Sequence, residues 1–366
     1  MSKLDINIKK IGYQKAEGFK PSQLVLEFSG KDTNTVITNT LRRVSFDDIP
    51  MYAFAYINIE HNNSVYNNDM MRIRLRQLPI FDIKNSLYYL HPRYWDGVDY
   101  NDKDRDKHEK EMSIEGVINV YNNTNENMNV TTNNMYYYVE GFQIPYPNRN
   151  KNEPILIVQL RPNETFKCQI KGCLGVGERD NIWAAAAQSY HDELPGKILY
   201  TTESCGQMNE FDILIKSCLY IRLKLKGIAA EIKNRVDEKE ILPAQTIFFE
   251  IVNEDHTICN VINNALQDHK QILFSGVSKP DHLVKLMKFK ISTIDPKISP
   301  VQPLFETIEY LDNVFSELMK QFTVLKKKEG YDTDEYEKQE DNININEDIE
   351  SDNIKPKNKK KAMQLN

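Results

Sequence analysis

In QLVLEFSG, Leu24, Leu26 and Phe28 alternate with Gln23, Val25 and Glu27. A period of two predicts a strand with one covered face, which Ser29 and Gly30 then turn. The period changes at once. Val36, Ile37, Leu41 and Val44 recur at helical spacing, Asp32 or Thr33 can cap the start, and Pro50 forbids continuation. After the proline, YAFAYINIE alternates again with Ala53, Ala55, Ile57 and Ile59 on one side. The predicted order is strand, helix, strand.

From about Phe81 to Asn163 the texture is aromatic and asparagine-rich. Polar runs (NDKDRDKHEKE, YNNTNENMNVTTNN) separate short extended pieces such as GVINV and MYYYVEGF, which predicts a mostly β insertion with long loops. EPILIVQLRP reads as a buried strand. Further on, Phe211, Ile215, Cys218, Ile221, Leu225, Ile228, Ile232 and Val236 fall at steps of three or four, which predicts a long helix. LYIRLKLKG within it also alternates, so a strand is the rival there.

RVDEKEILPAQ is charged, contains Pro243 and can serve as a linker. The opening pattern then repeats. TIFFEIVN places Ile247, Phe249 and Ile251 on one face, and EDHTICNVINNALQDH sets Ile258, Val261, Ile262, Ala265 and Leu266 on a helix capped at Asp255 or Thr257. KLMKFKIST puts Met287, Phe289 and Ile291 opposite Lys288 and Lys290; a last amphipathic helix carries Leu304, Ile308, Leu311, Phe315, Leu318, Phe322 and Leu325. TNTLRRV and CNVINNAL carry Asn39 and Asn260 at the same stage of their capped helices, and each half closes on a long helix. The chain reads as a degenerate internal duplication with an insertion in the first copy. From Gly330 the sequence is acidic and then basic with almost no large apolar residues, the composition of a solvated, disordered tail.

A chain of 366 residues fits two or three domains, and 40% hydrophobic with 27% charged residues is the balance of a soluble globular protein. The formal net charge of -6 argues against a whole-protein footprint for nucleic acid, so any such contact is local or indirect. Five scattered cysteines suggest neither a disulfide framework nor a paired zinc site, which fits a reducing compartment. No signal peptide or membrane span is visible.

Candidate chemistry is sparse. Arg42 and Arg43 are adjacent, hence about 100° apart on the helix, and cannot both lie beside Leu41. Each is either a solvated or intrachain-paired cation or an anchor for a partner protein. KGCLGVGERD holds Gly172, Gly175 and Gly177 in the order G-x-x-G-x-G, without the GK[ST] of a phosphate loop, and reads as a structural turn. Cys168 and Cys173 lack a second ligand pair, and His191 and Cys205 are too loosely spaced for a metal signature. No nucleophile has a catalytic context. The Lys357 to Lys361 cluster is a solvated end, a local contact for nucleic acid or a localisation signal.

The motifs resemble a known family. NTLRRVSFDDIP (39–50) and RIRLRQLPIF (72–81) resemble the first block of the third-largest subunit of eukaryotic RNA polymerase II and of the bacterial polymerase alpha subunit. KGCLGVGERDNIWAAAA and TESCG (202–206) look like that family's KG-x-A-x-x-HAKW-x-PAA and ES-x-G blocks. NEDHTICNVINNALQDHKQILFSGVSKPDH is similar to the EDHTLGN…FAGY…PHPL signature of the small eleventh subunit. The blocks run in order from Leu24 to about Phe322, as if two subunits were fused, an arrangement typical of large cytoplasmic DNA viruses. The zinc-binding cysteines of the eukaryotic third subunit have no counterpart here. The HAKW histidine and lysine are replaced around Asp180 and Asn181 with Trp183 kept, and LGN is Ile258, Cys259, Asn260.

The resemblance implies an α+β fold: two alpha-type dimerisation modules in pseudo-twofold arrangement, the first interrupted by a mostly β insert. The implied boundaries are 1–80 and 164–240 for the third-subunit-like module, 81–163 for the insert, 241–328 for the eleventh-subunit-like module and 329–366 for the tail. The implied function is a non-catalytic assembly platform, a single-chain equivalent of the alpha dimer. The implied partners are the largest and second-largest polymerase subunits and small zinc-binding subunits of the tenth and twelfth type, with DNA touched only indirectly and no membrane. Expected interface residues are Asn39, Leu41, Arg42, Arg43, Val44, Glu203, Asp255, His256, Thr257, Asn260, Ile262, Leu266, Phe315 and Phe322. Arg43 matches the second arginine of the family's LRR, a contact to the second-largest subunit. No cofactor, zinc included, and no catalytic residue is implied. The expected location is the host cytoplasm and virion for a viral protein, or the nucleus for a cellular polymerase. The rival is a self-contained nucleotide-binding enzyme built on the 172–177 glycine loop.

Overall fold

The computed structural model describes residues 4–16, 21–81, 98–102, 105, 107, 111–147, 154–238 and 244–331. In chain order the first elements are β1 (Asn7–Gln14), β2 (Gln23–Ser29), α1 (Thr35–Asp47), β3 (Met51–Asn62) and α2 (Asn68–Arg76). There follow β4 (Ile114–Tyr121), β5 (Met128–Thr131), β6 (Met135–Val139), β7 (Phe142–Ile144), β8 (Leu156–Leu160) and β9 (Thr165–Gly175). Next come β10 (Ala186–Leu194), β11 (Lys197–Ser204), α3 (Glu210–Asp237), β12 (Thr246–Val252), α4 (His256–Gln267), β13 (Ile272–Ser278), β14 (Leu286–Thr293) and α5 (Val301–Lys328). The expected tail and its lysine cluster lie outside the described residues from 332 onward, as does the Pro243 part of the linker.

Two sheets share one core. The first has the order β1-β2-β11-β10 and the second β12-β14-β13. Each buries one face, because Leu24, Leu26 and Phe28 on β2, and Ile247, Phe249 and Ile251 on β12, all point inward at a period of two. The inward residues of both sheets belong to one continuous cluster with the apolar stripes of α1, α3, α4 and α5. Phe322 of α5 stands edge-on to Phe28 of β2, with ring centroids 6.1 Å apart, so the last helix of the chain closes over the first sheet. Gln321 fixes that helix to β1. Its Nε2 donates to the Ile6 carbonyl at 2.9 Å and its Oε1 accepts from the Ile8 N–H at 3.0 Å.

A second core lies beside the first. β3-β9-β4-β6-β7 form a five-stranded sheet, with β5-β8 as a separate pair. Its apolar cluster runs from Ile49 to Ile213 in sequence. The expected insert boundaries at 80/81 and 163/164 therefore fall inside this body: β3 and β9 flank the insertion in sequence yet supply two of its strands. The register Met51↔Gly175 to Asn62↔Phe166 welds them together.

Several expectations change in detail. The α1 cap is Asn34, whose side chain accepts from the Ile37 N–H at 2.9 Å. Asp32 is occupied elsewhere, accepting from the Asp5 N–H at 2.7 Å and the Tyr310 hydroxyl at 2.8 Å, while the Thr33 hydroxyl donates to the Gly30 carbonyl at 2.9 Å. On β3 every residue from Met51 to Ala55 is buried, because the strand is covered on both faces there. β8 is only partly covered: Ile157, Val158 and Leu160 are buried while Leu156, and Ile155 just before the strand, are exposed. The strand alternative for LYIRLKLKG fails, since those residues lie inside α3.

Candidate functional site

The site of interest is the seam between the two halves. α3 and α5 are each 28 residues, about 42 Å at 1.5 Å per residue, and run antiparallel along each other. Asp212 near the start of α3 holds Lys326 near the end of α5 at 2.8 Å, and midway Arg222 grips Asp312 with Nε at 2.9 Å and Nη2 at 3.4 Å. The first pair is almost wholly buried. Such a pair contributes direction more than net stability, because desolvation offsets much of its Coulomb energy.

The two short capped helices meet beside them. Asn34, the cap of α1, donates from Nδ2 to Asn264 Oδ1 of α4 at 3.0 Å. Arg43 near the end of α1 donates from Nη2 to Asp255 Oδ2 at 2.8 Å, while Oδ1 of the same aspartate accepts the Thr257 N–H at 2.7 Å as the cap of α4. One carboxylate thus starts a helix in the second half and binds a cation from the first. The intrachain ion pair, left open in the sequence, is what Arg43 forms. Arg42 folds back on its own helix, its Nε donating to Asn39 Oδ1 at 3.0 Å.

Leu41, Val44, Thr257, Ile262, Leu266, Phe315 and Phe322 are buried, all but Thr257 in the shared core. His256 and Asn260 are exposed. Glu203 belongs to a different neighbourhood, accepting from Gln23 Nε2 at 2.7 Å across the first sheet.

A cleft of about 300 Å3 opens where α1, α3, the end of β9 and the start of α4 converge. Its walls carry Asp47, Asp48, Glu178, Glu254 and Asp255 against Arg43, Lys224 and Lys285. Lys224 holds Glu254 at 2.5 Å and Lys285 holds Glu178 at 2.6 Å. The Tyr220 hydroxyl donates to Asp48 Oδ1 at 2.9 Å. Burial pushes the Asp48 carboxyl up to about 7, against the opposing pull of Tyr220 and Lys224. Burial raises Glu254 and Asp47 as well, and it raises the Tyr220 phenol further, with Asp48 adding to the effect.

The glycine loop borders this cleft but is not a phosphate cradle. Gly172 and Gly175 lie within β9, where a Cβ would press on Ile114 and on the Trp183 ring. A Cβ on Gly177 would overlap the Phe46 carbonyl oxygen. The glycines are there for close approach, and the carboxylates around Gly177 would repel an anion. Among the described residues no cluster of three or more His, Cys, Asp or Glu could hold a metal ion, and no helix is long and apolar enough to cross a membrane.

Sequence reasoning missed Asp48, Tyr220, Lys224 and Glu254, and the Asp212–Lys326 and Arg222–Asp312 pairs. One signal was present: Lys326 stands four residues after Phe322, in phase with the apolar stripe of α5. A charge on that stripe needs a buried partner.

Comparisons with known proteins bear on this seam. Residues 246–321, which span β12 to most of α5, match the RNA polymerase Rpb3/Rpb11 dimerisation domain. Over 343 residues the chain is 26% identical to a DNA directed RNA polymerase subunit of Acanthamoeba polyphaga mimivirus, covering 87% of this chain and 94% of that relative. Over 169 residues it is 24% identical to subunit 3B of the DNA-directed RNA polymerases IV and V of Arabidopsis thaliana, covering 44% of this chain and 51% of that one. With a dimerisation-domain match in its second half and a viral polymerase subunit similar to it along nearly its whole length, the chain resembles RNA polymerase subunits, one of a large DNA virus among them.

Proposed function

We propose that the chain is a non-catalytic assembly platform of a multisubunit DNA-dependent RNA polymerase. In this reading two alpha-type modules, fused in tandem and related by a pseudo-twofold axis along the α3–α5 seam, do in one chain what a dimer of subunits does elsewhere. The observation that carries it is the shared core. β2 with α1 and β11 with α3 in the first half match β12 with α4 and β14 with α5 in the second, and the helices of both interleave in one apolar cluster. The outer surfaces then hold the largest and second-largest subunits, and the tenth- and twelfth-type small subunits join at the rim. His256 and Asn260 are the exposed members of the expected interface, while Arg42 is held by Asn39 and Arg43 by Asp255. The work is done in the host cytoplasm, where a large DNA virus transcribes, with no cofactor held by this chain.

The test is to purify the tagged full-length chain from the cells that make it and to identify what travels with it by mass spectrometry. Two very large polymerase subunits in equal amount to the chain are expected. A chain that emerges alone and intact overturns the reading. The nucleotide-binding alternative predicts thermal stabilisation by a nucleoside triphosphate, which the carboxylates around Gly177 disfavour.

A further inference from the structure

The two sheets differ at one edge. In the first, β2 lies between β1 and β11; in the second, its counterpart β12 pairs with β14 alone, and among the described strands nothing stands where β1 would be. The backbone at that edge can be read from the register. The Gln245 carbonyl accepts from the Thr293 N–H at 3.0 Å and the Asn253 N–H donates to the Lys285 carbonyl at 2.8 Å, so the odd-numbered residues of β12 turn their polar groups to β14. Phe248, Glu250 and Val252 therefore present theirs to the open edge. The Glu250 carbonyl takes the Arg235 guanidinium from α3, and the other outward groups have no partner among the described residues.

The same three side chains face the uncovered side of the sheet. Phe248 is 67% exposed, and Phe274 of β13, across the sheet, is 49% exposed. Between them Lys290 of β14 places its Nζ 5.4 Å from the Phe248 ring and 5.8 Å from that of Phe274. Its neighbour Lys288 is neutralised by Glu250 at 2.7 Å, whereas Lys290 has no carboxylate partner among the described residues. An open strand edge flanked by two exposed rings and an unpaired cation is a surface that soluble proteins ordinarily cover or blunt.

We propose that β12 accepts an added β-strand from another polymerase subunit, an extended segment in which apolar residues alternate with acidic ones. Its backbone completes the outward hydrogen bonds of Phe248 and Val252 and pairs the Glu250 N–H, the Glu250 carbonyl being held by Arg235. Its apolar residues cover Phe248 and Val252, and a carboxylate on the same face reaches over the Phe248 ring toward Lys290. Strand addition lets one short segment use both the edge and the face. The occupant is identified by charge and by pattern: a basic segment would meet Lys290, and a helix would leave the edge unpaired. The inference rests on the assembly-platform reading.

The experiment compares amide hydrogen exchange over residues 246–252 in the isolated full-length chain and in the polymerase purified with it. In the complex the amides of Phe248, Glu250 and Val252 are expected to exchange at least about five-fold more slowly than in the isolated chain. Glu250→Pro removes an outward N–H together with the carboxylate that pairs with Lys288 and is expected to abolish the slowing at Phe248 and Val252, while Glu250→Gln, which loses the carboxylate but retains the N–H, keeps it. Lys290→Glu is expected to weaken it. Unchanged exchange in a complex that contains both large subunits overturns this inference alone; failure of that complex to form overturns the platform reading itself. Two further outcomes also overturn it: slowing that grows with concentration in the isolated chain, which means a second copy, and slowing lost on deleting residues 332–366, which means the chain's own end.

Discussion

Arg43 of α1 and Asp255 at the cap of α4, 212 residues apart in sequence, are joined by a 2.8 Å contact that ties the two halves together. Both side chains are more than a third exposed, so water screens the pair and its coupling is expected to be about 0.5–1 kcal/mol. Arg43→Ala should cost about that much. Asp255→Ala should cost about 1–2 kcal/mol, because it also removes the cap from the Thr257 N–H. Asp255→Asn should retain most of the capping share. A double-mutant cycle in denaturant measures the coupling, and a value near zero would show that the contact does not fasten the halves.

The Asp212–Lys326 pair behaves differently because its side chains are 0% and 5% exposed. Lys326→Met should destabilise the chain by about 3–5 kcal/mol, since it takes away a cation set against the buried Asp212 carboxylate. Lys326→Met combined with Asp212→Asn should recover a large part of that loss, because both charges are then gone. Equilibrium unfolding of the three variants decides the point. Equal losses in the single and double variants would mean that packing, not charge, governs this end of the seam.

Much of the second half was legible in the sequence because β12 and β14 each have one covered face and each helix one apolar stripe; β13 was not, since Leu273 and Phe274 are both exposed and break the alternation. Ile247, Phe249 and Ile251 on β12, Met287, Phe289 and Ile291 on β14, and the stripe from Leu304 to Phe322 are buried where the two periods place them. The first half was less so. β3 is covered on both faces, which erases alternation, and its partner β9 lies more than a hundred residues away, so no local pattern announces that the pair belongs to the inserted body. The cap of α1 was misplaced for a related reason: Asp32 is spent on Asp5 and Tyr310, contacts made only after the chain has folded. At the seam the apolar residues were foreseeable, as were Arg43 as a candidate anchor and Asp255 as a cap, but the pairing of the polar groups was not. Arg43, Asp48, Tyr220 and Glu254 acquire their roles from neighbours distant in sequence.

Asp48 should make the seam sensitive to pH. Its carboxyl is raised from an ordinary 3.8 to about 7 in the folded chain, chiefly by burial. The folded state therefore binds the proton more tightly than the unfolded state. Between about 4 and 7 the native chain carries more protons, so the stability from this group is full at the acid end and falls as pH rises to 7. Glu254 is shifted in the same direction. Asp48→Asn keeps an acceptor for the Tyr220 hydroxyl and removes the titration. Its unfolding free energy should fall less steeply than that of the wild type between pH 5 and 7, and it should be the more stable of the two at pH 8. Parallel curves would assign the effect to another group.

Two glycines separate close approach from simple flexibility. Gly177 sits where the end of β9 crosses the last turn of α1, with the Glu178 N–H donating to the Asp47 carbonyl at 2.9 Å. A methyl there would collide with the Phe46 carbonyl oxygen, which belongs to the helix backbone and cannot swing aside. Gly177→Ala should destabilise by about 1–3 kcal/mol through overpacking. It should also disturb the acidic cleft, of which Gly177 forms a wall. Gly227 lies inside α3, and a methyl there would meet nothing within 4 Å. Gly227→Ala should stabilise by about 0.5–1 kcal/mol, since it removes only the entropy cost of glycine in a helix. Thermal unfolding of the two variants gives opposite shifts if the 172–177 glycines serve packing. A tolerated Gly177→Ala would instead mean that the loop is free to move, as a nucleotide cradle would have to be.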